Sequence, residues 1–135
     1  MKRIFGMILL AGLAGCAANA APKGPLPPAV PVFFQPWSAA LDNNALNAIA
    51  QAAQGAKAMP NADVLVTGAA DSTGSAQANR YLSETRAQVV ADQLAADGVE
   101  ASRIKVQGVG VVPTAGVPNG SPAQFARRVL IQVGG

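Results

Sequence analysis

The chain has 135 residues, half of them apolar, with ten Lys or Arg, seven Asp or Glu, one Cys and no His. That length suits one domain with a short appendage, and the lone Cys without His excludes a Cys/His zinc cluster, a His-assisted catalytic triad and a disulfide framework. The formal charge of +3 is too small for a nucleic-acid binder, and without the first fifteen residues eight basic side chains face seven acidic ones.

The N-terminus has the order of an export signal. Met1-Lys2-Arg3 is a positive start, and Ile4–Leu13 is an uninterrupted apolar or Gly run. Ten helical residues rise about 15 Å, half the bilayer core, so a lasting transmembrane span is not expected. The run ends in Leu13-Ala14-Gly15-Cys16, which holds the only Cys of the chain and resembles a bacterial lipobox. The resemblance implies that Cys16 is acylated by diacylglycerol, freed as the new N-terminus and acylated again. Two or more chains anchor stably where one does not. Ala17 in place of Asp points to the outer rather than the inner membrane. The alternative is an ordinary signal with an incidental Cys, which would leave an exported chain with one reactive thiol.

Residues 17–31 hold five Pro and show no periodicity. They read as a tether reaching up to about 45 Å in polyproline geometry. The expected organisation is a lipoprotein signal over 1–15, the lipidated Cys and tether over 16–31, and one domain over 32–135.

Within that domain, Val32–Phe34 reads as a strand stopped by Pro36. Asp42 or Asn43 can cap a helix with Leu46, Ile49, Ala50 and Ala53 at helical spacing, ending near Met59-Pro60. Val64–Thr67 is a short β-rich run, and Gly68–Gly74 a loop of small polar residues. The spacing predicts a helix over Ala76–Ala96, stopped by Gly98. Arg103–Val109 alternates as a strand, Val111–Ala123 is a loop, and Arg127–Val133 is the last strand. The expected fold is α+β, a two-layer βαβαββ sandwich with both helices on one face of a small mixed sheet. Phe33, Phe34 and Trp37 are expected in the core, with Trp37 beside Pro36 an alternative partner surface. Asn119-Gly120-Ser121 reads as a turn.

The long helix carries a cation on its apolar side. With Leu82 placed at zero, Val89 lies about −20° away, Arg86 about 40° and Asn79 about 60°. A guanidinium turned toward a core needs pairing and hydrogen bonds. Asp71 is the expected carboxylate for Arg86, because its loop leads directly into this helix, with Asp42 the alternative. Such a pair can be a structural bridge. It can equally recognise a zwitterion, the guanidinium taking a carboxylate in two parallel bonds and the Asp taking an ammonium. Loop amides near the helix N-terminus would add donors.

The residues Gly68, Asp71, Gly74, Asn79, Leu82-Ser83 and Arg86-Ala87 resemble the signature of OmpA-like peptidoglycan-binding domains, G-x-T-D-x-x-G, then N, then L-S-x-x-R-A. Supporting matches are Phe34 with Ser38-Ala39 and Leu41, Gly98-Val99, Arg103-Ile104, Gly108 and Gly110 with Pro113, and Arg127-Arg128-Val129. The resemblance spans residues 30–133. It implies non-covalent binding of peptidoglycan through the diaminopimelate of the stem peptide. Asp71 would take the ammonium, Arg86 the carboxylate, and Asn79 would support loop and ligand. One of Arg127 and Arg128 would line the site, since neighbours on a strand face opposite ways. Ala69, Ala70, Ala78 and Ala126 replace residues usual in the family, which trims walls and donors and implies weaker binding at about 0.5–1.5 kcal/mol per lost hydrogen bond.

Gly68–Gly74 lacks the Lys-Ser/Thr ending of a phosphate loop, and the Ser and Thr residues have no general base of the usual type beside them. Neither an enzyme nor a cofactor is expected. The expected partners are peptidoglycan and, through Cys16, a membrane, with envelope proteins as further partners and no nucleic acid. The rival reading is an envelope protein-interaction module whose Asp71 and Arg86 are purely structural.

Overall fold

Chain order gives β1 (Val30–Phe33), α1 (Asn43–Ala58), β2 (Val64–Ala70), α2 (Ala76–Ala96), β3 (Ile104–Val111) and β4 (Arg128–Val133), with single 3-10 turns at Ala101–Arg103 and Gln124–Ala126. This computed structural model describes residues 25–113 and 115–134, so the signal and lipobox at 1–16 lie outside the described residues. The sheet order is β1-β4-β2-β3. β2 and β3 are parallel, joined across α2, while β4 runs antiparallel to both β1 and β2. The α+β sandwich with a mixed sheet is the fold expected. β1 takes in Val30 and Pro31, two residues read as tether, and the Pro27 carbonyl accepts from Gln132 Nε2 at 2.8 Å.

Local chemistry sets the helix ends. The Asp42 carboxylate accepts from the Ala45 amide at 2.8 Å and caps α1. The far end of α1 is held by Arg103, which donates to the carbonyls of Ala56, Met59 and Ala62. α2 starts at Ser75, whose hydroxyl accepts from the Ala78 amide. It stops where Gly98 turns left-handed at φ +101°, with Gly98 donating to the Ala95 carbonyl and Val99 to Leu94.

The core lies between the helices and one face of the sheet, built from Ile49, Val64, Val66, Val90, Leu94 and Ile131 among others. α1 buries Ala45, Ile49, Ala52, Ala53 and Ala56, so the Leu46 and Ala50 positions expected inside are exposed instead. α2 is turned further. Its buried residues are Asn79, Ser83, Arg86, Ala87, Val90, Ala91 and Leu94, an arc centred about 100° from Leu82. Ala78 and Ala96 face solvent. Two glycines explain this rotation. A Cβ on Gly68 would meet the Ser83 carbonyl, and one on Gly108 would come within 2.5 Å of the Glu84 amide nitrogen. Without those side chains the sheet meets the small residues of α2 almost backbone to backbone. The packed face therefore combines Val90 and Leu94 with the small Ser83, Ala87 and Ala91, and leaves Leu82 and Val89 only half-buried.

The opposite face of the sheet is uncovered by either helix. Phe33 lies there, edge-on to Phe125 at 6.2 Å between ring centroids, and both are exposed. Of the three aromatics expected in the core only Phe34 is buried, and Trp37 is 58% exposed. Among the described residues no helix is long and apolar enough to cross a membrane.

Candidate functional site

The C-terminal ends of β1 and β2 lie at one edge of the sheet beside the start of β4, because β1 and β2 both run antiparallel to β4. Asp71 follows β2 directly, Arg127 precedes β4, and the turn Gln35–Ser38 follows β1. The first half of α2 carries Asn79 and Arg86 on its buried face, two turns apart.

Arg86 is fully buried, and no carboxylate among the described residues is in contact with it. Its Nε donates to the Ser38 carbonyl at 2.8 Å, Nη1 to Ala69 at 3.2 Å and Nη2 to Gln35 at 3.1 Å, and its guanidinium lies 5.2 Å from the Phe34 ring centre. These three bonds leave one N–H on each terminal nitrogen uncommitted. Burial lowers the guanidinium pKa to about 10, with Asp71 opposing that shift and Arg127 adding to it. Arg86 therefore stays charged at neutral pH.

Asp71 binds Arg127, which corrects the expectation that it pairs with Arg86. Its Oδ2 accepts from Arg127 Nη1 at 2.9 Å and from the Ala123 amide at 3.2 Å. Its Oδ1 accepts from the Thr73 hydroxyl at 2.5 Å and the Thr73 amide at 3.2 Å. Burial pushes the carboxyl upward. The bonds from the Thr73 hydroxyl, Arg127 and the two amides outweigh it and hold the pKa below the ordinary 3.8. The physical reason for the exchange of partners is reach. Main-chain carbonyls of β2 and the Gln35–Ser38 turn already surround Arg86, while Arg127 crosses from Phe34 to Asp71, its Nε donating to the Phe34 carbonyl.

Asn79 is buried, and among the described residues neither its amide oxygen nor its amide nitrogen has a partner. Such a group is expensive unless something satisfies it. Of the adjacent arginines, Arg127 is in the site and Arg128 is not. Arg128 pairs in register with Phe33 on the uncovered sheet face and donates to the Phe125 carbonyl.

Thr73 went unnoticed in the sequence. It gives Asp71 a hydroxyl donor where the family's Thr is replaced by Ala70, and a Thr two residues past an Asp is the pattern that could have signalled it. The carbonyls on Arg86 carry no side-chain signal at all. The Asn119–Ser121 segment is a turn as expected, with Gly120 at φ +83° donating to the Ser72 hydroxyl. A groove of about 560 Å³ adjoins the site, lined by Gln35, Asp42, Asn44, Gln124 and Arg127 among others. Among the described residues no group of three or more His, Cys, Asp or Glu could hold a metal ion.

This geometry offers a buried cationic fork, an unsatisfied amide and a fixed carboxylate at one end of a small sheet. Comparisons with known proteins agree with this fold. The chain is 42% identical over 79 residues, 58% of its length, to the probable lipoprotein YiaD of Escherichia coli (strain K12). It spans only 36% of that relative. The crystal structure of the peptidoglycan-associated lipoprotein from Burkholderia pseudomallei superposes with a TM-score of 0.68 at 24% identity, covering 76% of this chain and 88% of that one. The OmpA-like domain of FopA1 from Francisella tularensis gives 0.66 at 31% identity, covering 76% of this chain and 69% of that one. Residues 33–128 match the OmpA family, and the chain belongs to it.

Proposed function

We propose that this protein is a lipoprotein of the outer membrane whose domain binds peptidoglycan without covalent chemistry and so ties membrane to wall. The observation that carries this reading is Arg86, a buried guanidinium with one N–H on each terminal nitrogen uncommitted, which is suited to receive a carboxylate. Asn79, on the same helix face two turns nearer the N-terminus, adds a buried amide with no partner among the described residues. Asp71, held ionised by its donors, supplies the negative charge for the ammonium of the same diaminopimelate. Arg127 positions Asp71. Cys16 is proposed as the acylated anchor and the Pro-rich segment after it as the spacer. YiaD being named a probable lipoprotein supports the anchor, and the fold shared with a peptidoglycan-associated lipoprotein is consistent with the wall contact.

A second reading is favoured by Asp71 itself. Its two oxygens already receive four protein donors, about as many as a carboxylate has lone-pair sites. In this reading Asp71 is a structural bridge and the domain contacts envelope proteins. Calorimetric titration of the full chain in detergent with a diaminopimelate-containing stem peptide separates the two. Saturable binding that fails in folded Asp71→Asn supports the zwitterion site. Binding that is absent, or unchanged in that variant, removes it. Mass spectrometry of the native protein tests the anchor: an unmodified Cys16 thiol would remove it.

A further inference from the structure

Arg86 and Asn79 are closed off from solvent, at 0% and 1% exposure. Anything that binds them must first move a wall. Most of the walls are fixed. The Ala69 carbonyl belongs to β2, which is paired on both edges, and Phe34 is part of the hydrophobic core. The exception is the Gln35–Ser38 turn, which belongs to neither sheet nor helix. Its own bonds are Ser38 N–H to the Gln35 carbonyl and the Ala40 N–H to the Ser38 hydroxyl. The same turn supplies two of the three carbonyls on Arg86.

Trp37 sits at the tip of this turn. It is the one non-glycine residue among those described with a positive φ, at 56°, a conformation that costs a bulky side chain energy. Its indole lies against Gly74 on the loop that carries Asp71, so closely that any Cβ there would strike the ring. The indole therefore bridges the turn that covers Arg86 and the loop that carries Asp71, while Trp37 as a whole is 58% exposed.

We propose that the Gln35–Ser38 turn is a lid over Arg86, latched by the contact of the Trp37 indole with Gly74, and that Trp37 controls how readily a ligand reaches the site. This inference rests on the proposed binding site. With the lid shut, Ser38 and Gln35 carbonyls occupy Arg86. With it open, the N–H groups released from Ser38 and Gln35 join the uncommitted ones in offering the guanidinium to a carboxylate, which gives the ligand a differential affinity for the open state. Removing the latch raises the open fraction and with it the apparent association rate.

The chain contains a single Trp, so its fluorescence reports the latch directly in the unaltered protein. With the full chain in detergent, a saturating diaminopimelate-containing stem peptide should red-shift the emission and increase quenching by acrylamide as the indole leaves Gly74. Trp37→Ala should speed exchange of the Arg86 Nε–H, followed by NMR, and stem-peptide association, each by about tenfold. Trp37→Phe, with a smaller ring, should lie between and serves if the Ala variant unfolds. Calorimetric binding with no change in emission, or exchange at the wild-type rate in a folded variant, overturns the lid and leaves the site standing. Loss of binding in folded Trp37→Ala also overturns it, because the indole would then hold the ligand. No calorimetric binding by any form overturns site and lid together.

Discussion

Arg127 Nη1 lies 2.9 Å from Asp71 Oδ2, with both side chains almost wholly buried. This contact ties the loop after β2 to the residue before β4, and it leaves Arg86 to main-chain carbonyls alone. The carboxylate thus has a mechanical role as well as its proposed chemical one. Truncating it strands a buried guanidinium, and Asp71→Ala should cost on the order of 3 kcal/mol in chemical denaturation. Asp71→Ala combined with Arg127→Ala should cost less than the two single changes added, because the pair is lost once. Full additivity would mean that the contact contributes nothing.

Acid should act through the same carboxyl. The folded pKa of Asp71 is below the 3.8 of the unfolded chain, so its contribution to stability is fully present above about pH 4 and is lost as pH falls through the folded value. In Asp71→Asn that part of the acid transition should disappear from the pH dependence of the denaturation midpoint. At the other extreme, carboxylate binding should fade above about pH 10, where Arg86 gives up its proton. A binding profile flat across that point would remove Arg86 from the site.

The tight seam between α2 and the sheet predicts intolerance at two glycines. A methyl at Gly68 meets the Ser83 carbonyl, and one at Gly108 meets the Glu84 backbone. Neither backbone can give way without shifting the helix that carries Asn79 and Arg86. Gly68→Ala and Gly108→Ala should each destabilise by about 1–3 kcal/mol, whereas Gly55→Ala, with open space around its Cβ position, should be neutral or stabilising. Equal denaturation midpoints for all three would contradict the backbone-to-backbone seam.

Element order and the end of α2 were legible because Gly98 is strong punctuation and β-branched runs mark the strands. The register of α2 was less so. Ser83, Ala87 and Ala91 face the sheet, and their small side chains carry little apolar signal beside Leu82 and Val89, so periodicity centred the face on the wrong residues. Asp71, Asn79 and Arg86 were legible as a group through spacing and signature. Their bonding was not. Main-chain carbonyls at Gln35, Ser38 and Ala69 do the work expected of a carboxylate, and a carbonyl is the same in every residue. Trp37 misled for a related reason, since an aromatic beside a core strand reads as core and only the turn's φ of 56° carries it outward.

The most direct measurement is co-sedimentation of the full chain, in detergent, with purified peptidoglycan sacculi, beside Arg86→Lys and Asp71→Asn checked for fold by circular dichroism. Lysine keeps the charge of Arg86 but cannot present the paired N–H groups. The account predicts that the wild type sediments with the wall, that both folded variants stay in solution, and that free diaminopimelate releases the wild type. A wild-type protein that stays in solution, or folded variants that sediment equally well, would contradict it.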